Sequence, residues 1–199
     1  MQNMPHSRHW YATLSKANDP QLAGKVISDT RILFNQLVKQ ESPVEVKTPA
    51  LKKEIHNLIL PGLAIYQVIQ QIECDSNKAL LIVEGLFKED FFRTMGFCIR
   101  LINYLPDPFP LVRPALRMMT KKEYIPGSQT VIEDNRNCFA LNTTRCFKWD
   151  VLNALNASDL TTLYCKTDDW LSDFLPKVQW MRTKTLARGD ELCDFRWCR

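Results

Sequence analysis

The strongest constraint in this sequence lies in its last eighteen residues. Arg182-Thr-Lys-Thr-Leu-Ala-Arg-Gly-Asp-Glu-Leu-Cys-Asp-Phe-Arg-Trp197 reads as a strand, a Gly-Asp turn and a second strand. A two-residue Gly-Asp loop fits a type II′ turn, with Gly189 supplying the positive φ. That register pairs Arg188 with Glu191, Leu186 with Cys193, Thr185 with Asp194 and Thr183 with Arg196. Side chains alternate with period two, so one face carries Thr183, Thr185, Asp194 and Arg196. The other carries Leu186, Cys193 and Phe195, with Arg182, Lys184 and Trp197 nearby. A loop one residue longer changes the pairing. Polar residues stand where a strand ordinarily uses Val or Ile, and buried polar groups need partners or water. The hairpin therefore marks a polar network or a wet cavity. A thiol with cationic neighbours can have a lowered pKa, and the thiolate is the nucleophile. Cys193 is the first functional candidate; its plainer reading is a small buried hydrophobe.

Upstream, the chain changes character near its middle. Asn18-Asp-Pro20 starts a helix to about Gln40, which Glu41-Ser-Pro43 ends. Thr48-Pro49 starts another, with Pro at the first helical position. Pro61-Gly62 kinks or breaks it before it continues to about Glu73. Asp75-Ser76 caps a third helix to about Leu86, and a further helix from Phe87 stops before Pro106. Pro108, Pro110 and Pro114 mark a connection with a short helix near 115–120. Thr130-Val-Ile132 and Cys138-Phe-Ala-Leu141 are then short β-like runs around an Asp134-Asn-Arg-Asn137 loop. Helices follow at 147–155 and 159–175, the latter capped by Ser158. The expected fold class is α+β: a helical N-terminal half, then a four-stranded antiparallel sheet of two hairpins with intervening helices. Length, at 199 residues, suggests one domain over 1–199, with 1–17 a loose tail.

Bulk composition excludes more than it assigns. A net charge of +4 with no Lys/Arg cluster speaks against nucleic-acid binding. The longest apolar run, Ala79-Leu-Leu-Ile-Val83, is far too short to span a bilayer. The N-terminus has no apolar core of a signal peptide, so the expected location is cytoplasmic. Seven cysteines without compact spacing then read as free thiols, catalytic residues or ligands rather than staples. Three histidines, two of them in the tail, and no Cys-x-x-Cys make a metal unexpected, although Cys146, Cys165 and Cys193 are chemically able to hold zinc. Neither a phosphate-binding loop, a dinucleotide fingerprint nor a Gly-x-Ser-x-Gly elbow is present, so no cofactor is implied.

Other candidates gather near Cys193 in type. Cys165 shares one face of the 159–175 helix with Asp168, Asp169 and Ser172, at i+3, i+4 and i+7. A thiol one turn from a carboxylate is a nucleophile with its base, or the edge of a solvated face. Cys146 ends the Asn142-Thr-Thr-Arg145 strand and lines the same cavity or simply packs. Arg182 and Arg196 are able to grip a substrate carboxylate through the guanidinium fork. Their plainer reading is a structural pair, such as Arg196 with Asp194 or Asp168.

The run RTKTLARGDELCDFRW, with NTTRCF at 142–147 and LTTLYCKTDDW at 160–170, resembles the L-2-amino-thiazoline-4-carboxylic acid hydrolase family over about 60 residues. Leu60-Pro-Gly-Leu-Ala-Ile-Tyr66 looks like that family's central helix. The resemblance implies hydrolysis of a C–N or C–S bond at an amidine-like carbon, opening a small ring to a carbamoyl-cysteine product, in some members within a biosynthetic pathway. It makes the partner a small-molecule substrate bearing a carboxylate. Cys193 is the implied nucleophile, with Cys165 as the other thiol candidate and Asp168 or Asp194 as acid/base. Arg182 or Arg196 holds the carboxylate, Thr183 and Thr185 orient substrate or water, and Cys146 lines the pocket. The layout more distantly resembles the four-vinyl-reductase-type ligand-binding domain. Its zinc-holding members use a Glu and a Cys where this chain has Arg182 and Thr185. A non-catalytic small-molecule-binding module, similar to sensor domains, is the rival reading.

Overall fold

The computed structural model describes residues 3–121 and 127–199. The chain is α+β: a helical first half, then one four-stranded antiparallel sheet over residues 129–198. It divides into two compact units, Met1–Arg93 and Thr94–Arg199. No helix among the described residues is long and apolar enough to cross a membrane.

The first unit is helical because its turns are well punctuated. Helices α1 (Ser7–Ala17), α2 (Pro20–Leu37), α3 (Pro49–Glu54) and α4 (Leu60–Glu73) precede the start of α5 (Ser76–Asn103). Asp19 and Thr48 accept from the amides of Gln21 and Leu51, and Pro20 and Pro49 follow them at the first helical position. The break expected at Pro61-Gly62 falls earlier, as a π-helical turn over Ile55–Ile59. Pro61 then sits in the first turn of α4, where a missing N–H costs little. Leu60 through Tyr66 are buried without exception, so α4 is the core of this unit. Where two helices were expected after Asp75, α5 runs unbroken, since Gly85 alone does not end a helix.

The loose tail expected over 1–17 is corrected: Ser7–Ala17 is a helix that buries Trp10 and Leu14. His6 explains its order. Its Nδ1 lies 2.5 Å from Asp90 Oδ2 and its Nε2 lies 2.8 Å from the Asn57 carbonyl, while His9 Nδ1 lies 2.7 Å from Asp90 Oδ1. A carboxylate and a carbonyl only accept, so His6 donates from both nitrogens and is an imidazolium. The Asp90 hydrogen bond raises its pKa, against the opposing pull of burial.

The second unit holds α6 (Phe109–Lys121), β1 (Gln129–Asp134), β2 (Cys138–Thr143), α7 (Phe147–Ala154), α8 (Thr161–Asp173), β3 (Gln179–Met181) and β4 (Cys193–Cys198). The sheet order is β1-β2-β4-β3, so the two hairpins meet along β2 and β4. The first hairpin turns as expected: Asn135 Oδ1 accepts the amides of Asn137 and Cys138 at 2.8 and 2.9 Å. Phe139, Leu141 and Trp197 pack with Phe109, Val112, Leu175 and Val178. Each such side chain contributes about 1.5–3 kcal/mol by leaving water.

Three expectations for this unit are corrected. The type II′ hairpin is replaced by a wider connection: β3 ends at Met181, residues 182–185 run without a ladder, and Leu186–Arg188 form a single 3-10 turn closed by Gly189 at φ 91°. Side-chain carboxylates cause this. Asp194 takes the amides of Thr183 and Lys184 at 2.8 and 2.6 Å, and Asp190 takes that of Thr185 at 2.7 Å. The pairing shifts by two, so Arg196 faces Met181 rather than Thr183. Within β4 an even shift preserves the faces: Cys193, Phe195 and Trp197 share one, Asp194 and Arg196 the other; Thr185, outside the ladder, leaves its expected place beside Asp194 and turns its hydroxyl to the Cys193 sulfur. Next, Ser158 makes no cap to α8, because a 3-10 turn over Ser158–Leu160 leads straight into it. Finally, not all cysteines are free. The β2/β4 register sets Cys138 opposite Cys198, and the two form a disulfide.

Candidate functional site

The even shift leaves Cys193 on the face of the sheet that α8 covers. Cys193 begins β4 and pairs with Thr143 of β2. Its side chain is buried, and its Sγ accepts the Leu186 amide at 3.3 Å from the 3-10 turn. Thr185 Oγ1 lies 3.5 Å from the same sulfur and 3.8 Å from Cys165 Sγ on α8. One hydroxyl thus stands between two thiols. Cys146, the residue before α7, is within electrostatic reach of both. Cys165 and Cys193 thus share one hydroxyl, with Cys146 in electrostatic reach of both.

Their environments differ. Burial pushes the Cys165 thiol up to about 11, although Thr185 and Arg182 pull the other way. Burial likewise raises Cys146, opposed by the Trp149 amide and Lys148. The Cys193 sulfur receives the Leu186 amide, and that of Cys146 receives the amides of Trp149 and Lys148.

Asp168 lies one turn from Cys165. Burial pushes its carboxyl up to about 6, against Arg182 and Lys148, with Asp169 adding to the rise. Arg182 reaches in from the 182–185 stretch with its side chain only 5% exposed. Its Nη1 donates to the Cys165 carbonyl at 3.2 Å and to Asp168 at 3.3 Å, and its Nη2 spans both oxygens of Asp169 at 3.0 and 3.2 Å. Trp180 Nε1 also donates to Asp169 at 3.0 Å, and the guanidinium lies over the Trp180 ring at 5.7 Å. A guanidinium so occupied braces α8 against the sheet; its Nε is buried without a partner.

Arg196 and Asp194 do not form the pair that their spacing suggested. Arg196 donates to the carbonyls of Leu141 and Phe195 and to Asn142 Oδ1, each at 2.9 Å, all neutral acceptors. Asp194 is spent on the Thr183 and Lys184 amides and on the Thr183 hydroxyl at 2.7 Å. Burial raises its carboxyl, but these bonds outweigh that and hold it below the ordinary range. Both side chains, with Thr183, lie away from the thiols, which leaves Asp168 as the carboxylate beside them.

Sequence reasoning missed Thr143, Thr161 and Lys148. Thr143 and Thr161 carry buried hydroxyls without hydrogen-bond partners among the described residues. Only the β2/β4 register brings Thr143 to Cys193. Thr161 was legible as the residue one turn before Cys165 on α8. Among the described residues, no three His, Cys, Asp or Glu side chains are disposed to hold a metal ion.

A search of curated proteins finds no match. Among solved structures, the chain is similar to the crystal structure of the Fe(II) unliganded H-NOX protein from K. algicida, at 10% identity and a TM-score of 0.40, covering 98% of this chain and 95% of that one. Residues 109–197, which contain every site residue above, match the model of the L-2-amino-thiazoline-4-carboxylic acid hydrolase family.

Proposed function

We propose that this protein is a cysteine-dependent hydrolase of small, non-peptide substrates, acting on a C–N or C–S bond at an amidine-like carbon. The observation that carries the reading is the Leu186 amide aimed at Cys193 Sγ, beside two thiols held protonated by burial. Cys193 attacks the electrophilic carbon and forms a C–S bond. Its proton passes to Asp168, by way of the Thr185 hydroxyl or a water. Asp168 returns that proton to the leaving nitrogen or sulfur as the ring bond breaks. Water then adds to the carbon, Asp168 takes its proton, and the thiol is regenerated. A carboxyl near 6 suits both directions of transfer at neutral pH.

The family match over 109–197 supports the same substrate class, a small amino-thiazoline carboxylate or a relative of it. Lys148, whose charge pulls the pKa values of both Asp168 and Cys146 down, is the cation we assign to the substrate carboxylate. Arg182, already engaged by two aspartates, supports the site from behind.

Iodoacetamide mapping across pH tests this reading. Cys193 should be alkylated fastest of the three, with substrate protecting it. Equal, slow alkylation of all three thiols would instead indicate a binding module without a nucleophile.

A further inference from the structure

Two buried hydroxyls without partners flank the thiol cluster. Thr143 is 8% exposed and pairs with Cys193; Thr161 is 1% exposed and lies one turn before Cys165. Neither Oγ1 makes a hydrogen bond among the described residues. Native proteins pair nearly all buried polar atoms, because an unmet group gives up its water bonds for nothing. Valine has the shape of threonine and suits a strand equally well. Packing alone therefore gives no reason for these hydroxyls, whereas their placement does. Cross-strand partners hold their Cβ atoms about 5 Å apart, and residues at i and i+4 share a helix face. Thr143 is thus the cross-strand neighbour of Cys193, and Thr161 the same-face neighbour of Cys165. Thr185, 2% exposed, stands between the two sulfurs.

Resting on the hydrolase reading above, we propose that Thr143 and Thr161 are specificity-determining residues that complete their hydrogen bonds on the substrate. Each hydroxyl both donates and accepts. The group that satisfies both is small and planar, with an N–H beside a C=N or C=O: the amidine edge of an amino-thiazoline, or a urea or amide. A purely hydrocarbon ring leaves both hydroxyls unmet and is rejected.

The test uses the full chain with Thr143→Val, Thr161→Val, the double variant and Thr→Ser at each position. L-2-amino-thiazoline-4-carboxylate is the probe, read by turnover and by the rise in Tm that it induces. Without probe, the Val variants should melt at or above the wild-type temperature, since an unmet hydroxyl has been removed. Each should raise KM about tenfold, with kcat changed less than about threefold, and Ser should restore KM. Val variants that melt several degrees lower without probe would overturn the proposal, as would turnover with unchanged KM in the double variant; the latter leaves the hydrolase reading standing. A probe-induced Tm rise that the Val variants lose, with no turnover by wild type, would sink the hydrolase reading and keep the hydroxyl assignment. Neither turnover nor a Tm rise in wild type would overturn both.

Discussion

In the proposed reaction Cys193 is the nucleophile and Asp168, whose carboxyl is pushed up to about 6, the proton carrier, and each makes a distinct prediction. Cys193→Ser should abolish turnover with little change in fold, because the side chains are nearly isosteric but serine is far less nucleophilic near neutral pH. Circular dichroism and single-turnover assays check this; activity within a few-fold of wild type would move the nucleophile elsewhere. For Asp168, the starting form is the carboxylate, so kcat/KM should rise with pH through a midpoint near 6. Asp168→Asn should remove that limb and lower kcat about 10²-fold or more. An unshifted pH profile in the variant would relieve Asp168 of the role. At this scale the sequence was informative where chemistry was local. Cys165 with Asp168 was legible from helical spacing, because residues three apart share a face. Thr143 was not, because nothing within β2 signals that its ladder partner is a thiol fifty residues on.

Elements tell a similar story of local signals overridden by side chains. The last hairpin was legible as two strands with Gly189 at the reversal, yet Asp194 and Asp190 drew the backbone of 183–185 out of the ladder. Asp194→Ala should cost about 1–2 kcal/mol by stranding those amides, allowing for solvent at this partly exposed site. It should also raise hydrogen exchange at Thr183 and Lys184 specifically. Uniform exchange across the sheet would mean that Asp194 does not hold the segment. In the helical unit, α1 escaped notice because its buried set is sparse, and the His6–Asp90 contact that fixes it spans 84 residues. His6 has a raised pKa, so its contribution is complete below 6.5 and fades as pH rises through the folded value. Asp90 is first raised by burial, but its histidine bonds outweigh that and lower it; its contribution is present above 3.8 and fades as pH falls through the folded value. Asp90→Asn should therefore cost most between those limits, about 2 kcal/mol, and distinctly less at pH 9. Melting curves of both proteins across pH decide this, and a constant difference would remove the charged clasp.

For the molecule as a whole, the fold class followed from periodicity, but the pairing of β2 with β4 did not, and that pairing joins Cys138 to Cys198. The bond closes a loop of 60 residues in separation. Its loss should destabilise the chain by about 2–4 kcal/mol through the entropy returned to the unfolded state. Non-reducing peptide mapping after denaturation should recover the 138–198 pair intact, with Cys146, Cys165 and Cys193 alkylated. Equal stability of Cys138→Ser and wild type would show that the sheet holds its register without the cross-link.

The sheet order β1-β2-β4-β3 also sets the timing of assembly. Each hairpin closes a short loop, whereas the central seam between β2 and β4 joins residues 50 to 60 apart and raises the contact order. Closing the longer loop costs more entropy before any contact repays it. Thr143 meets Cys193 only at that seam. The neighbours of the Cys193 sulfur should therefore be gathered late in folding, and the rate at which Cys193 changes its susceptibility to alkylation during refolding should report the closing of the sheet.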